Sequence, residues 1–202
     1  MEYILIIGHD IDFKQFNFQN KYIIGIDEGA YVALNNGIKL DLAIGDFDSI
    51  DQEKLSYIEQ QTKVIRLSPE KNETDTEAAL RLCENATKIT ILGGIQGKRI
   101  EHFIALLMLM LSHPNIEMLD NNSHIYLMDS SFSIRKNEYK FISFFALSET
   151  MISLEGFAYP LTNYKLKKTD PLTISNELKD ERGIITIKGG KLLVIQSKED
   201  RK

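Results

Sequence analysis

The chain has 202 residues, enough for one or two domains of ordinary size, and 43% of them are hydrophobic, ample for a buried core. Its 24 basic and 29 acidic residues give a net charge of −5, with no basic run longer than Lys167-Lys168, which argues against nucleic acid as a partner. The longest apolar run, Phe103 to Leu111, is about half the roughly 20 residues that a membrane-spanning helix needs, so it reads as a buried helix and no membrane is expected. Cys83 stands alone and cannot close an internal disulfide, and no charged and then apolar leader opens the chain; a cytoplasmic protein is the expectation.

Tyr3-Ile4-Leu5-Ile6-Ile7 is a continuous β-branched run that stops at Gly8, the pattern of a strand buried on both faces of a parallel sheet. Ile23-Ile24-Gly25-Ile26 repeats it, and Asp27-Glu28-Gly29 leads on into the helical Ala30-Tyr31-Val32-Ala33-Leu34. In open α/β sheets ligands collect at the carboxyl ends of strands, where Asp27 would reach a ribose or a metal-bound water; an acid at a helix start also suits the helix dipole. Next comes Ile44-Gly45-Asp46-Phe47-Asp48-Ser49, with two carboxylates on a short turn flanked by Leu40, Leu42 and Ile50. Hard cations such as Mg²⁺ take oxygen ligands, and one or two carboxylates beside a substrate phosphate make such a site, although Gly, Asp and Ser also build plain surface turns.

A polar-faced helix is expected from Asp51 to Gln61 and a strand over Val64-Ile65-Arg66-Leu67. Thr74-Asp75-Thr76-Glu77 has capping-box spacing ahead of Ala78-Ala79-Leu80, which makes Thr74 the cap and puts Asp75 in the first turn. There Asp75 serves either the helix dipole or a carboxylate cluster with Asp46 and Asp48, and Lys71 stands close by to meet phosphate as a point charge. Ile89-Thr90-Ile91-Leu92 reads as a further strand, followed by Gly93-Gly94-Ile95-Gln96-Gly97-Lys98-Arg99 and a helix from Glu101 to Leu111. A glycine-rich turn between strand and helix offers backbone N–H groups to an anion, but this one matches neither a Walker A loop nor G-x-G-x-x-G. His102 is a ligand, a proton carrier or simply a helix-start histidine.

From about Ser123 the strand–helix alternation gives way to short strands separated by turns, which indicates a second, all-β domain. Ser133 to Glu138 and Lys140 to Ala146 form a strand, turn, strand pattern, and Met151 to Ala158 alternates. Ile184 to Lys188 and Lys191 to Ile195 flank Gly189-Gly190, a hairpin signal. The division expected is therefore an α/β domain over 1–122, with a parallel-type sheet and flanking helices, and an all-β domain over 123–202.

The ordered set Gly45-Asp46-Phe47-Asp48-Ser49, Glu70-Lys71-Asn72-Glu73-Thr74-Asp75, Gly94-Ile95-Gln96-Gly97-Lys98-Arg99-Ile100-Glu101-His102, Gly156-Phe157-Ala158-Tyr159-Pro160-Leu161 and Ile174-Ser175-Asn176-Glu177 resembles the thiamine pyrophosphokinase family, over almost the whole chain. The resemblance implies transfer of a pyrophosphoryl group from ATP to the hydroxyl of thiamine, giving thiamine diphosphate and AMP with Mg²⁺. It also implies a sandwich-like β domain that binds thiamine and a homodimer with thiamine held between subunits. Position by position, Asp46, Asp48 and Asp75 match the metal and phosphate-end acids. Lys71 and Arg99 match basic positions beside the triphosphate, with Asp27, Thr74, Gly94, Gly97 and His102 around them, and Ser175 and Asn176 match the thiamine segment.

The residue types suit that chemistry, because in-line attack by an alcohol on a triphosphate is helped chiefly by charge neutralisation; a carboxylate, here Asp75, can also accept the hydroxyl proton. The sequence departs from the family at Asn72 and Glu101, where Asp is usual, at Lys98, where Gly is usual, and at Leu106, where Asn is usual. An Asp-nucleophile phosphohydrolase and a silent thiamine- or nucleotide-binding module are the alternatives. The first leaves Ser175-Asn176 unexplained and the second leaves the carboxylates unexplained.

Overall fold

The computed structural model describes residues 1–95 and 99–199. The chain divides into two compact units, Met1–Asn121 and a second that begins at Asn122.

In the first unit the strands are β1 (Glu2–Ile6), β2 (Tyr22–Ile26), β3 (Leu42–Gly45), β4 (Val64–Arg66), β5 (Lys88–Leu92) and β6 (Ile116–Leu119). The helices are α1 (Glu28–Asn35), α2 (Gln52–Gln61), α3 (Asp75–Arg81) and α4 (Ile100–Ser112). The strands lie in the order β4-β3-β2-β1-β5-β6, and each neighbouring pair is parallel. Buried β-branched runs produce this sheet, since a parallel strand covered on both faces has no polar side to show. Ile4, Ile6, Ile23, Ala30, Ala33, Ile58 and Leu92 share one core, each large side chain contributing about 1.5–3 kcal/mol by burial. Strand order reverses between β1 and β5, the switch point at which such sheets open a crevice. Two glycines permit it: a Cβ on Gly93 (φ +94) would stand 2.4 Å from Cα of Gly8.

The structure adds one strand to the sequence reading and corrects one helix. Strand β6, short and interrupted by Glu117, extends the sheet by pairing Ile89 with Ile116, an element the local pattern did not signal. The run read as a buried helix is helical, but of α4 only Leu106 and Met110 are buried. Ile100, Ile104 and Met108 are 68%, 44% and 54% exposed, and their four-residue spacing makes one apolar stripe. A helix apolar nearly all round reads as buried from composition, whereas the chain itself covers one face.

The second unit contains β7 (Ser123–Met128), β8 (Phe132–Arg135), β9 (Phe141–Ala146), β10 (Thr150–Glu155), β11 (Leu161–Leu166), β12 (Arg182–Lys188) and β13 (Leu192–Ser197). All pair antiparallel, as β7-β13-β9 and as β11-β10-β12-β8. Alternate residues of both sets, among them Ile142, Phe144, Ile152, Leu154, Ile185, Ile187, Leu192 and Val194, close one core, the two-sheet packing of a sandwich. Gly189-Gly190 is not a hairpin turn. It carries the chain from β12 in one set to β13 in the other, because each strand finds wider pairing with distant partners than with its neighbour in sequence.

Candidate active site

Parallel register decides which acids meet. Ile26 pairs with Ile44 and Gly45 with Arg66, so Asp27 and Asp46 leave the sheet side by side at its carboxyl edge. Asp27 N–H donates to Ile44 O at 3.1 Å, and its Oδ1 accepts the Phe47 N–H at 3.3 Å. The buried Phe47 ring anchors the turn in the core. Asp27 (φ 48) and Phe47 (φ 57) both have positive φ, which costs on the order of 1–3 kcal/mol each and persists only where surrounding structure enforces it. Gly45 has no room for a side chain: a Cβ there would stand 1.9 Å from Asp27 Oδ1. The glycine clears space for a carboxylate.

Asp75 arrives from α3, whose start is set by the expected capping box. Thr74 N–H donates to Glu77 Oε2 at 2.8 Å, and Glu77 N–H donates back to Thr74 Oγ1 at 3.2 Å. Thr74 thus aims Asp75. Carboxylate oxygens of Asp27, Asp46 and Asp75 all lie within 4.8 Å of one another. Lys71 Nζ sits among them, 2.8 Å from Asp46 Oδ2 and 3.0 Å from Asp75 Oδ1.

The electrostatics follow from crowding. The hydrogen bond from Lys71 holds the Asp46 carboxyl below its ordinary range, against the opposing effect of burial and helped by the Asp48 N–H. Burial alone would depress the Lys71 ammonium, but its bonds to Asp46 and Asp75 outweigh that and raise it. Burial, and then the charge of Asp75, push Asp27 from 3.8 up to about 6. Asp75 Oδ1 is buried, with the Lys71 ammonium 3.0 Å away as its partner. A buried carboxylate oxygen facing two more carboxylates fits a hard divalent cation.

Other expected residues fall differently. Asp48 is exposed, outside the converging trio, with its N–H on Asp46 Oδ1 at 3.3 Å; Asp27 stands in the trio instead. Arg99 precedes α4 and donates through Nε to Glu101 Oε1 at 2.7 Å, both side chains being exposed, and His102 is exposed beside them. Gly94 (φ +75) lies over Leu106 and Ile7; a Cβ there would stand 2.5 Å from Leu106 Cδ1. Gly97 and Lys98 lie outside the described residues. In the second unit Ser175 (φ 54) is exposed, whereas Asn176 is 3% exposed. Tyr159, given no role from sequence, is 70% exposed, next to a turn whose aromatic could not be told from a core residue by pattern. A concavity of about 460 Å³ beside α3 and α4, lined by Glu73, Leu80, Cys83 and Leu109 among others, contains none of the trio.

Leu106, where the resemblance implies Asn, is an apolar contact under Gly94, 5% exposed. Leu106→Asn is therefore expected to cost about 3 kcal/mol in denaturant unfolding, through lost packing and an amide buried without a partner, and not to tighten nucleotide binding. A stable, tighter-binding variant would show that the position belongs to the nucleotide site.

Comparisons with known proteins identify the family. Residues 13–119 match the model for "Thiamin pyrophosphokinase, catalytic domain", and residues 130–192 match "Thiamin pyrophosphokinase, vitamin B1 binding domain". The chain is 33% identical over 196 residues to the thiamine pyrophosphokinase of Bacillus subtilis, covering 92% of each. A crystal structure of thiamine pyrophosphokinase from that organism superposes with TM-score 0.88 at 30% identity, over 98% of this chain and 100% of that one. The thiamin pyrophosphokinase of Geobacillus thermodenitrificans gives 0.87 at 27% identity, over 99% of both. By its two family matches, in order and across both units, and by its kinship to the Bacillus subtilis enzyme, the chain belongs to the thiamin pyrophosphokinase family.

Proposed function

We infer that this chain transfers the pyrophosphoryl group of ATP to the hydroxyl of thiamine, releasing AMP and thiamine diphosphate. The observation that carries the reading is the Asp27/Asp46/Asp75 cluster around Lys71 at the carboxyl edge of β2, β3 and β4, in a chain of this family. Asp46 and Asp75, with Asp27 beside them and Asp48 at the rim, would hold Mg²⁺, which supplies charge neutralisation to the phosphates when bound. Lys71 is already desolvated among acids and moves its charge to phosphate as the triphosphate enters. Arg99 gives a planar fork that a phosphate oxygen pair takes in exchange for Glu101. Asp75 would accept the hydroxyl proton through the carboxylate oxygen it does not give to the cation.

Ser175 and the exposed Tyr159 offer thiamine a hydroxyl and an aromatic face, suited to a flat cationic ligand. A cytoplasmic homodimer belongs to the same reading, supported by the exposed apolar stripe of α4. Incubation with thiamine, Mg²⁺ and each nucleotide in turn tests the whole. AMP and thiamine diphosphate in equal amounts are expected with ATP, and inorganic phosphate without thiamine diphosphate would mark a hydrolase instead. Arg99→Ala should weaken a non-hydrolysable ATP analogue about tenfold by calorimetry, with Arg99→Lys also impaired. Unchanged nucleotide affinity would reduce Arg99 to a helix-start residue paired with Glu101.

A further inference from the structure

The family segment Ser175-Asn176 presents its two side chains in opposite ways. Segment 173–176 is stitched to β9 by Phe144 N–H to Thr173 O at 3.1 Å, Ile142 N–H to Asn176 O at 2.7 Å and Asn176 N–H to Ile142 O at 3.0 Å. That threading turns the Asn176 amide inward, where it is 3% exposed. There its Oδ1 accepts the N–H of Tyr159 at 3.1 Å and that of Glu177 at 2.9 Å, while Nδ2 donates to Tyr159 O at 2.8 Å. Both backbone polar groups of one residue are thus held by one buried amide. Pro160 restricts the same residue from the other side. What this fixed backbone carries is a tyrosine left 70% exposed, with Ile174 at 49% on the gripping segment itself.

An amide with both ends engaged on backbone has little left to offer a ligand. We propose that Asn176 is a positioning residue: through its two-point grip on the backbone of Tyr159 it sets the aromatic face that receives thiamine, and it does not itself touch the substrate. The proposal rests on the thiamine reading above and changes what Asn176 does within it. Holding a ring in advance removes ordering cost at binding, so the grip is felt as thiamine affinity.

The test is a double-mutant cycle on the full chain, read by calorimetry with thiamine and separately with a non-hydrolysable ATP analogue. Asn176→Ala should weaken thiamine binding about tenfold in the presence of Tyr159 or of Tyr159→Phe, which keeps the ring, and by less than about twofold in the Tyr159→Ala background. The nucleotide analogue should bind as before. If Asn176→Ala does not fold, Asn176→Asp keeps the size and the acceptor while losing the donor to Tyr159 O, and the same background dependence is expected. Equal losses in all three backgrounds would mean direct contact with thiamine and overturn the proposal. A fall in both ligands' affinities with lowered thermal stability would mean a merely structural role and overturn it as well. A wild type that binds no thiamine overturns the functional reading along with it, whereas one that binds with multiplying losses overturns this assignment alone.

Discussion

Asp46→Asn is expected to lower turnover at least about a thousandfold, roughly 4 kcal/mol of barrier, while changing folding stability by less than about 1 kcal/mol. Two effects compete on the stability side. The substitution removes the charge partner of Lys71, and breaking a buried pair by taking away one member costs about 3–5 kcal/mol when the other is stranded. Lys71 is not stranded, because Asp75 Oδ1 remains 3.0 Å away. The same substitution also relieves repulsion among three carboxylates that approach within 4.8 Å. These contributions are of similar size and opposite sign in the metal-free protein. No such cancellation protects catalysis, since an amide is a poor ligand for Mg²⁺, and without the cation the phosphate charge is left unneutralised. Steady-state rates beside thermal unfolding decide it; a variant keeping more than about a tenth of the wild-type rate would remove Asp46 from the metal site.

Local chemistry was legible in the sequence where one segment determined it. The capping box of Thr74 and Glu77 appears as spaced, and the β-branched runs ending at Gly8, Ile26 and Leu92 become the inner strands. Legibility failed where distant partners decide. Asp46 and Asp48 are near neighbours in sequence, which suggests a pair, but the alignment of Ile26 with Ile44 brings Asp27 to Asp46 and leaves Asp48 at the rim. Gly189-Gly190 carries a hairpin signal, yet sheet membership depends on pairing with β10, β7 and β9. For Asn176 the residue type is legible and its direction is not, since only the pairing with Ile142 shows that the amide points inward.

Asp27 supplies a pH signature that separates the acid cluster from an ordinary surface turn. Burial first, and then Asp75, raise its folded value from 3.8 to about 6, so between those pH values the folded protein binds a proton that the unfolded chain releases. Stability therefore falls as pH rises from about 4 to 7, by up to about 3 kcal/mol if the whole displacement is expressed. Asp46 has the opposite sign: its lowered carboxyl contributes stability above its unfolded value that is lost only in stronger acid, so the two effects occupy separate windows. In EDTA, Asp27→Asn should match the wild type near pH 4 and exceed it by about 2 kcal/mol at pH 7.5, since a neutral amide keeps an oxygen for the Phe47 N–H without the buried charge. Saturating Mg²⁺ should close that gap by stabilising the wild type more than the variant, because a bound cation favours the ionised acid. Denaturant unfolding across pH, with and without metal, measures both. Parallel pH profiles for the two proteins in EDTA would mean that Asp27 ionises as an ordinary carboxylate, and the crowded three-acid cluster would lose its strained member.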